Sequence, residues 1–93
     1  MTRFENTTPA LARKWLKHRV QGNRSIDPRH VEWLRRAIER RGYDSSEPIS
    51  FNLAGALIDG QHRATAISLM PDHFVARVLV WRGPARLELG LAL

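Results

Sequence analysis

The eight residues Leu57-Ile58-Asp59-Gly60-Gln61-His62-Arg63-Ala64 read as an apolar strand that passes through a glycine turn straight into a helix. The first backbone N–H groups of a helix have no partner within it and lie at the positive end of its dipole, so this junction predicts an anion site. Gly60 lets the backbone turn sharply and approach a ligand. His62 and Arg63 fall in the first helical turn, where Arg63 offers a two-pronged grip suited to phosphate oxygens. By spacing alone this is a helix that begins at a glycine, a common pattern, and the chemistry needs support from the rest of the chain.

Working outward, the helix runs to about Leu69 with Ala64 and Ile67 facing inward, and Pro71-Asp72 ends it. Upstream, Ile49, Phe51 and Leu53 alternate as a half-buried strand that Ala54-Gly55 turns back into Ala56-Leu57-Ile58, a short hairpin. Downstream, residues 74–81 are apolar at both alternating positions, which predicts a central strand covered on two faces. Before the hairpin, Asp27 caps a helix with Pro28 at its first position, Val31, Leu34, Ala37 and Ile38 line one face, and Gly42 stops it. Trp33 lies off that stripe and is expected to pack, as large aromatics usually do, against an earlier helix that starts at Thr8-Pro9. That first helix carries Leu11, Trp15 and Leu16 on one side and Arg13, Lys14 and Lys17, with Arg19 just beyond, on the other.

Ninety-three residues support one domain, and 15 Lys and Arg against 9 Asp and Glu make it strongly basic. That balance favours nucleic acid, nucleotides or an acidic protein surface as partners, with a merely solvated surface as the plain alternative. The absence of cysteine removes disulfides, thiolate metal sites and thiol nucleophiles. His18, His30, His62 and His73 have no zinc-like spacing. No apolar run is long enough to cross a bilayer and the N-terminus lacks a secretion signal, so a cytoplasmic location is expected.

Asn23-Arg24, a helix ending at Gly42, Glu47-Pro48-Ile49, a hairpin, Asp59-Gly60-Gln61-His62-Arg63 and a final strand, in that order, resemble the ParB/sulfiredoxin-like family over residues 20–82. The chain is most similar to the small ParB-like domain proteins common in bacteria and their phages. The resemblance implies a single small α+β domain with a short mixed sheet flanked by helices. It divides the chain into a basic N-terminal helix (1–19), the ParB-like domain (20–82) and an apolar, Leu-rich tail (83–93) that could support self-association. In this superfamily the residues matching Gly60, Gln61, His62 and Arg63 bind nucleotide phosphates. Arg24, in a polar pair that similar proteins also carry before the second helix, is the candidate to close over the phosphates from the opposite side, with an ordinary polar loop as the alternative. The departures also inform. Sulfiredoxins have a cysteine where Gln61 stands, so sulfinic acid reduction is excluded. Chromosome-partitioning ParB proteins have Glu-Arg-Arg in place of Gln-His-Arg and further motifs beyond, so a self-sufficient partition clamp is not expected.

Asp59 beside a polyphosphate is repelled unless a cation intervenes, which points to Mg²⁺ bound with a nucleotide such as CTP or ATP. The alternative is that Asp59 simply caps the helix. Glu47 matches the segment that approaches the nucleotide and is the candidate general base for nucleotide hydrolysis or nuclease chemistry, an activity left open. Two other readings stand beside phosphate binding. One is a DNA-binding protein using Arg13, Lys14, Lys17 and Arg19. The other is a phage-type interaction module that keeps the fold and has lost the nucleotide chemistry.

Overall fold

A computed structural model of the chain describes residues 1–20 and 25–84. The described elements run β1 (Thr2–Thr7), α1 (Pro9–Leu16), α2 (Pro28–Arg41), β2 (Ile49–Phe51), β3 (Leu57–Asp59), α3 (Gln61–Ser68) and β4 (Ala76–Arg82). The strands form one mixed sheet in the order β1-β4-β2-β3, so the fold is α+β in a single domain. β4 pairs antiparallel with β1 and parallel with β2, while β2 and β3 form the antiparallel hairpin.

The hairpin closes because Asn52 accepts twice and donates once. Its backbone carbonyl takes the Gly55 N–H at 2.9 Å, its side-chain oxygen takes the Ala56 N–H at 2.9 Å, and Asn52 N–H reaches the Ala56 carbonyl at 3.0 Å. The chain after α1 adds a short stretch of pairing outside β3: Val20 N–H donates to Leu57 O at 2.9 Å and Leu57 N–H to His18 O at 2.7 Å. Arg19 thereby sits in a parallel bridge opposite Leu57, and the outer edge of β3 is covered.

α3 packs against both α1 and α2 and touches β2, which makes it the central helix. Its composition allows this. Ala64, Ala66 and Ile67 are fully buried, and the alanines permit close approach on more than one side. The core beneath is Ile49, Phe51, Leu57, Ile67, Val78 and Val80, with Trp15 meeting Phe51 edge-on at 5.0 Å between ring centroids. Each such side chain contributes roughly 1.5–3 kcal/mol of burial. Arg13 fastens α1 to the end of α3, donating to Ser68 O at 2.8 Å and lying 3.7 Å from Asp72.

Three features differ from the sequence expectations. β1 is additional: its pairing to β4 was hidden because Arg3, Glu5 and Thr7 occupy the face that neighbours buried Val80, Val78 and Ala76. Glu5 is accommodated there by Arg82 at 3.0 Å and Arg3 at 3.4 Å. The last strand starts at Ala76 rather than residue 74, because Phe74 N–H turns back to Pro71 O at 2.8 Å. It is covered on one face only: Ala76, Val78 and Val80 are buried, whereas Arg77 is exposed and Leu79 and Trp81 are partly so. Trp33 does not pack on α1; it is 65% exposed. The tail beyond residue 84 and the Asn23-Arg24 pair lie outside the described residues.

α2 forms as its sequence predicts. Asp27 accepts from Arg29 N–H at 3.0 Å, Pro28 follows, and Gly42 ends the helix at φ +78°. Its exposed side carries a carboxylate between two guanidiniums, with Glu32 bonded to Arg35 at 2.7 Å and to Arg36 at 3.1 Å. The Arg35 hydrogen bond above all, then Arg36, holds the Glu32 carboxyl down from 4.5 to about 2. A depressed folded value means that the contribution of Glu32 is complete above about pH 4.5 and is lost as pH falls toward 2. An NMR titration of the Glu32 carboxyl is expected to show a midpoint near 2. Arg35→Gln should return it toward the ordinary range, and an unshifted midpoint in the wild-type protein would disprove the pairing in solution.

Candidate functional site

The β3–α3 junction is built on a glycine that packing requires. Gly60 has φ +98°, in the left-handed region, and is buried. A Cβ there would stand 2.9 Å from Ile49 Cγ1 and 3.2 Å from Arg63 Nη2. The side of Gly60 that must stay bare therefore faces Ile49, so core packing is sufficient reason for the glycine. Asp59 does not cap α3. Gly60 occupies the N-cap position with no side-chain cap bond, and Asp59 Oδ1 instead accepts the Gly60 N–H at 3.0 Å. The first turn closes from Ala64 N–H to Gly60 O at 2.9 Å.

The next two residues each reach another segment. Arg63 donates through Nη1 to Glu47 O and through Nη2 to Pro48 O at 3.1 Å. It pairs with those two carbonyls, not with the carboxylates of Glu47 or Asp59, and so fixes the strand entrance beside the helix start. Two of the five guanidinium N–H groups are engaged in this way. His62 Nε2 accepts the Asp27 N–H at 2.9 Å, which ties α3 to the cap of α2. Nε2 is thereby engaged as an acceptor and is not a donor to a ligand. The His62 ring meets His30 edge-on at 4.9 Å, and His30 lies parallel to Trp33, 8° between planes and 6.3 Å between centroids.

These connections gather an open cavity of about 320 Å³ lined by His30, Leu34, Glu47, Asp59, Gly60, Gln61, His62 and Arg63. Six of those residues are ones the sequence singles out: Glu47 and the run Asp59 to Arg63, brought together from two segments. His30 and Leu34 were missed. Their signal was present, since they are one turn apart on α2 and follow a capped start, but only the docking of α3 reveals which helical face meets the turn. The basic residues Arg13, Lys14 and Lys17 lie elsewhere, around a shallow depression on α1 that Ala10 and Leu11 complete. Arg19 stands past the end of α1 in the bridge with Leu57. Arg24 lies outside the described residues.

The cavity holds two carboxylates against one guanidinium. The Glu47 and Asp59 residues are exposed, and Glu47 makes no side-chain bond among the described residues, its loop being held through backbone contacts to Ser45. A phosphate entering here meets the donors of the helix start and of Arg63, and also like charge. Among the described residues no group of three or more His, Asp or Glu could hold a metal ion. Two carboxylates on one cavity nevertheless match the way Mg²⁺ binds when phosphate oxygens and water complete its shell. Among the described residues no helix is long and apolar enough to cross a membrane.

No family model matches the chain, and no curated protein or solved structure is significantly similar to it. The ParB-like reading thus stands on the quoted motifs alone.

Two of the three glycines with positive φ, Gly42 and Gly60, separate strain from clash. Gly42→Ala, at φ +78° with nothing within 4 Å of the new methyl, is expected to cost about 1 kcal/mol. Gly60→Ala should cost more, about 2–4 kcal/mol, because Ile49 must also move. Denaturant melts of the pair check this, and equal losses would refute the close approach. Arg63→Lys, which cannot bridge both carbonyls in a fork, should lose about 1–2 kcal/mol of stability without any ligand present; an unchanged melt would show that the bridge adds nothing.

Proposed function

We propose that this protein binds the phosphates of a nucleotide, or of a nucleic acid, at the start of α3. The observation that carries the reading is the shared cavity: the α3 first turn, Arg63, Glu47 and Asp59 converge on it from separate segments. Its volume of about 320 Å³ is at the low end of ligand sites and suits a phosphate chain with its metal and waters. Gln61 and the remaining N–H groups of Arg63 are the donors, with His62 on the same wall; Asp59 and Glu47 would hold a Mg²⁺ that offsets the phosphate charge. Hydrolysis is a further step for which Glu47, with no side-chain bond among the described residues, is the candidate base. The resemblance to ParB-like proteins supports binding more directly than turnover.

The opposing charges make the test specific. CTP, ATP and GTP are titrated with and without Mg²⁺, followed by thermal shift and calorimetry. Ligand at a hundred times its Kd adds about 2.7 kcal/mol of stability. For a domain of this size that is a rise of roughly 10–20 °C in Tm. The rise is expected with Mg²⁺ and should shrink without it, and Asp59→Asn should abolish that dependence on the metal. A folded protein that no nucleotide stabilises under either condition would overturn the proposal. Arg63→Ala alone is a poor test because it also breaks the bridge to Glu47 and Pro48.

A second reading has one observation in its favour. Lys14 and Lys17 are exposed and make no ion pair among the described residues, leaving α1 as a separate surface for DNA backbone phosphates. Binding there would weaken steeply with salt and would survive Asp59→Asn.

A further inference from the structure

Trp33 is one of several exposed large apolar side chains. It is 65% exposed on a helix whose apolar stripe is filled by Val31 and Ile38, and the His30 imidazole lies parallel to its ring, 8° between planes and 6.3 Å between centroids. His30 in turn meets His62 at 4.9 Å and lines the cavity. Three rings, Trp33, His30 and His62, therefore step from the outer surface of α2 to the phosphate cavity. The cavity itself offers a base little apolar contact, since Leu34 is the sole aliphatic side chain on its wall among the described residues. A ligand whose phosphates occupy it must lay its sugar and base across the rim, and His30 is that rim.

We propose that Trp33, backed by His30, is a stacking platform for the nucleobase of the ligand whose phosphate enters the cavity. The inference rests on the phosphate reading above and names what lies beside it. Stacking asks for a flat, exposed π face held in one orientation, which the aligned imidazole provides. The charge around it is complementary to a nucleotide. Arg29 precedes Trp33 by one helical turn and makes no side-chain contact among the described residues. Arg36 follows by three residues and is bonded to Glu32. Base and phosphate are the shared chemistry of a free nucleotide and of a single strand.

The test compares ligands with and without a base. Wild-type protein, Trp33→Phe and Trp33→Ala are titrated with tripolyphosphate, with CTP and ATP, and with a short single-stranded oligonucleotide, each with Mg²⁺, by calorimetry and tryptophan fluorescence. Because Trp33 is exposed, neither substitution disturbs the core. The expected result is quenching by base-containing ligands that Trp33→Ala abolishes. Affinity for those ligands should fall about 10-fold in Trp33→Ala and be largely kept in Trp33→Phe, with no change in tripolyphosphate affinity. Dependence on Trp33 for CTP and ATP identifies a free nucleotide as the occupant; dependence for the oligonucleotide alone identifies a strand. If tripolyphosphate binds and Trp33→Ala leaves every base-containing ligand unaffected, the platform is wrong while the phosphate site stands. If nothing binds, including tripolyphosphate, both are wrong. Concentration-dependent dimerisation lost in Trp33→Ala, with base affinity unchanged, would reassign the face to a second copy of the chain.

Discussion

The contact between Gly60 and Ile49 is the constraint on which the site depends. With a Cβ position 2.9 Å from Ile49 Cγ1, the turn from β3 into α3 can lie this close to β2 only if residue 60 has no side chain. The closeness brings the α3 first turn within reach of the Glu47-Pro48 carbonyls, where Arg63 closes the gap. It also brings His62 to the α2 cap. Three segments distant in sequence are thus referred to one backbone position, and the cavity is the space their meeting leaves.

Arg63 and His62 do two things at once. The carbonyl bridge and the Asp27 bond hold the fold together, and the same side chains face the cavity. Such dual use explains why a motif of this kind can be legible while its function is not: a pattern selected to build the turn looks the same as one selected to hold a ligand. What separates them is the surplus. The turn uses Asp59, which accepts the Gly60 N–H, but it needs neither the Glu47 carboxylate on the same wall nor an exposed aromatic ladder beside it.

The helices and the hairpin were legible because their signals are local: Thr8-Pro9 and Asp27-Pro28 at helix starts, Gly42 at an end, Asn52 to Ala56 at a turn. β1 was not, since its inward residues are Arg3, Glu5 and Thr7 and its face becomes tolerable only when Arg82 arrives from the far end of the chain. Trp33 was misread by a rule about aromatics in general, where the particular helix had already filled its apolar stripe with Val31 and Ile38. Of the cavity, Glu47 and the run Asp59 to Arg63 were visible and the residues on α2 were not. Helical periodicity shows that His30 and Leu34 share a face, but not which face α3 will meet.

The strand that escaped the sequence also determines how the sheet is completed. β1 opposes Thr2 to Trp81 and Thr7 to Ala76, so the pairing joins the two ends of the described chain. Closing so long a loop costs entropy before any contact compensates for it. Until it docks, β4 is itself an edge, with β2 on one side and open hydrogen-bonding groups on the other. Arg77, exposed on that strand, and Arg82 at its end supply the positive charge that discourages a second chain from taking the place reserved for residues 2–7.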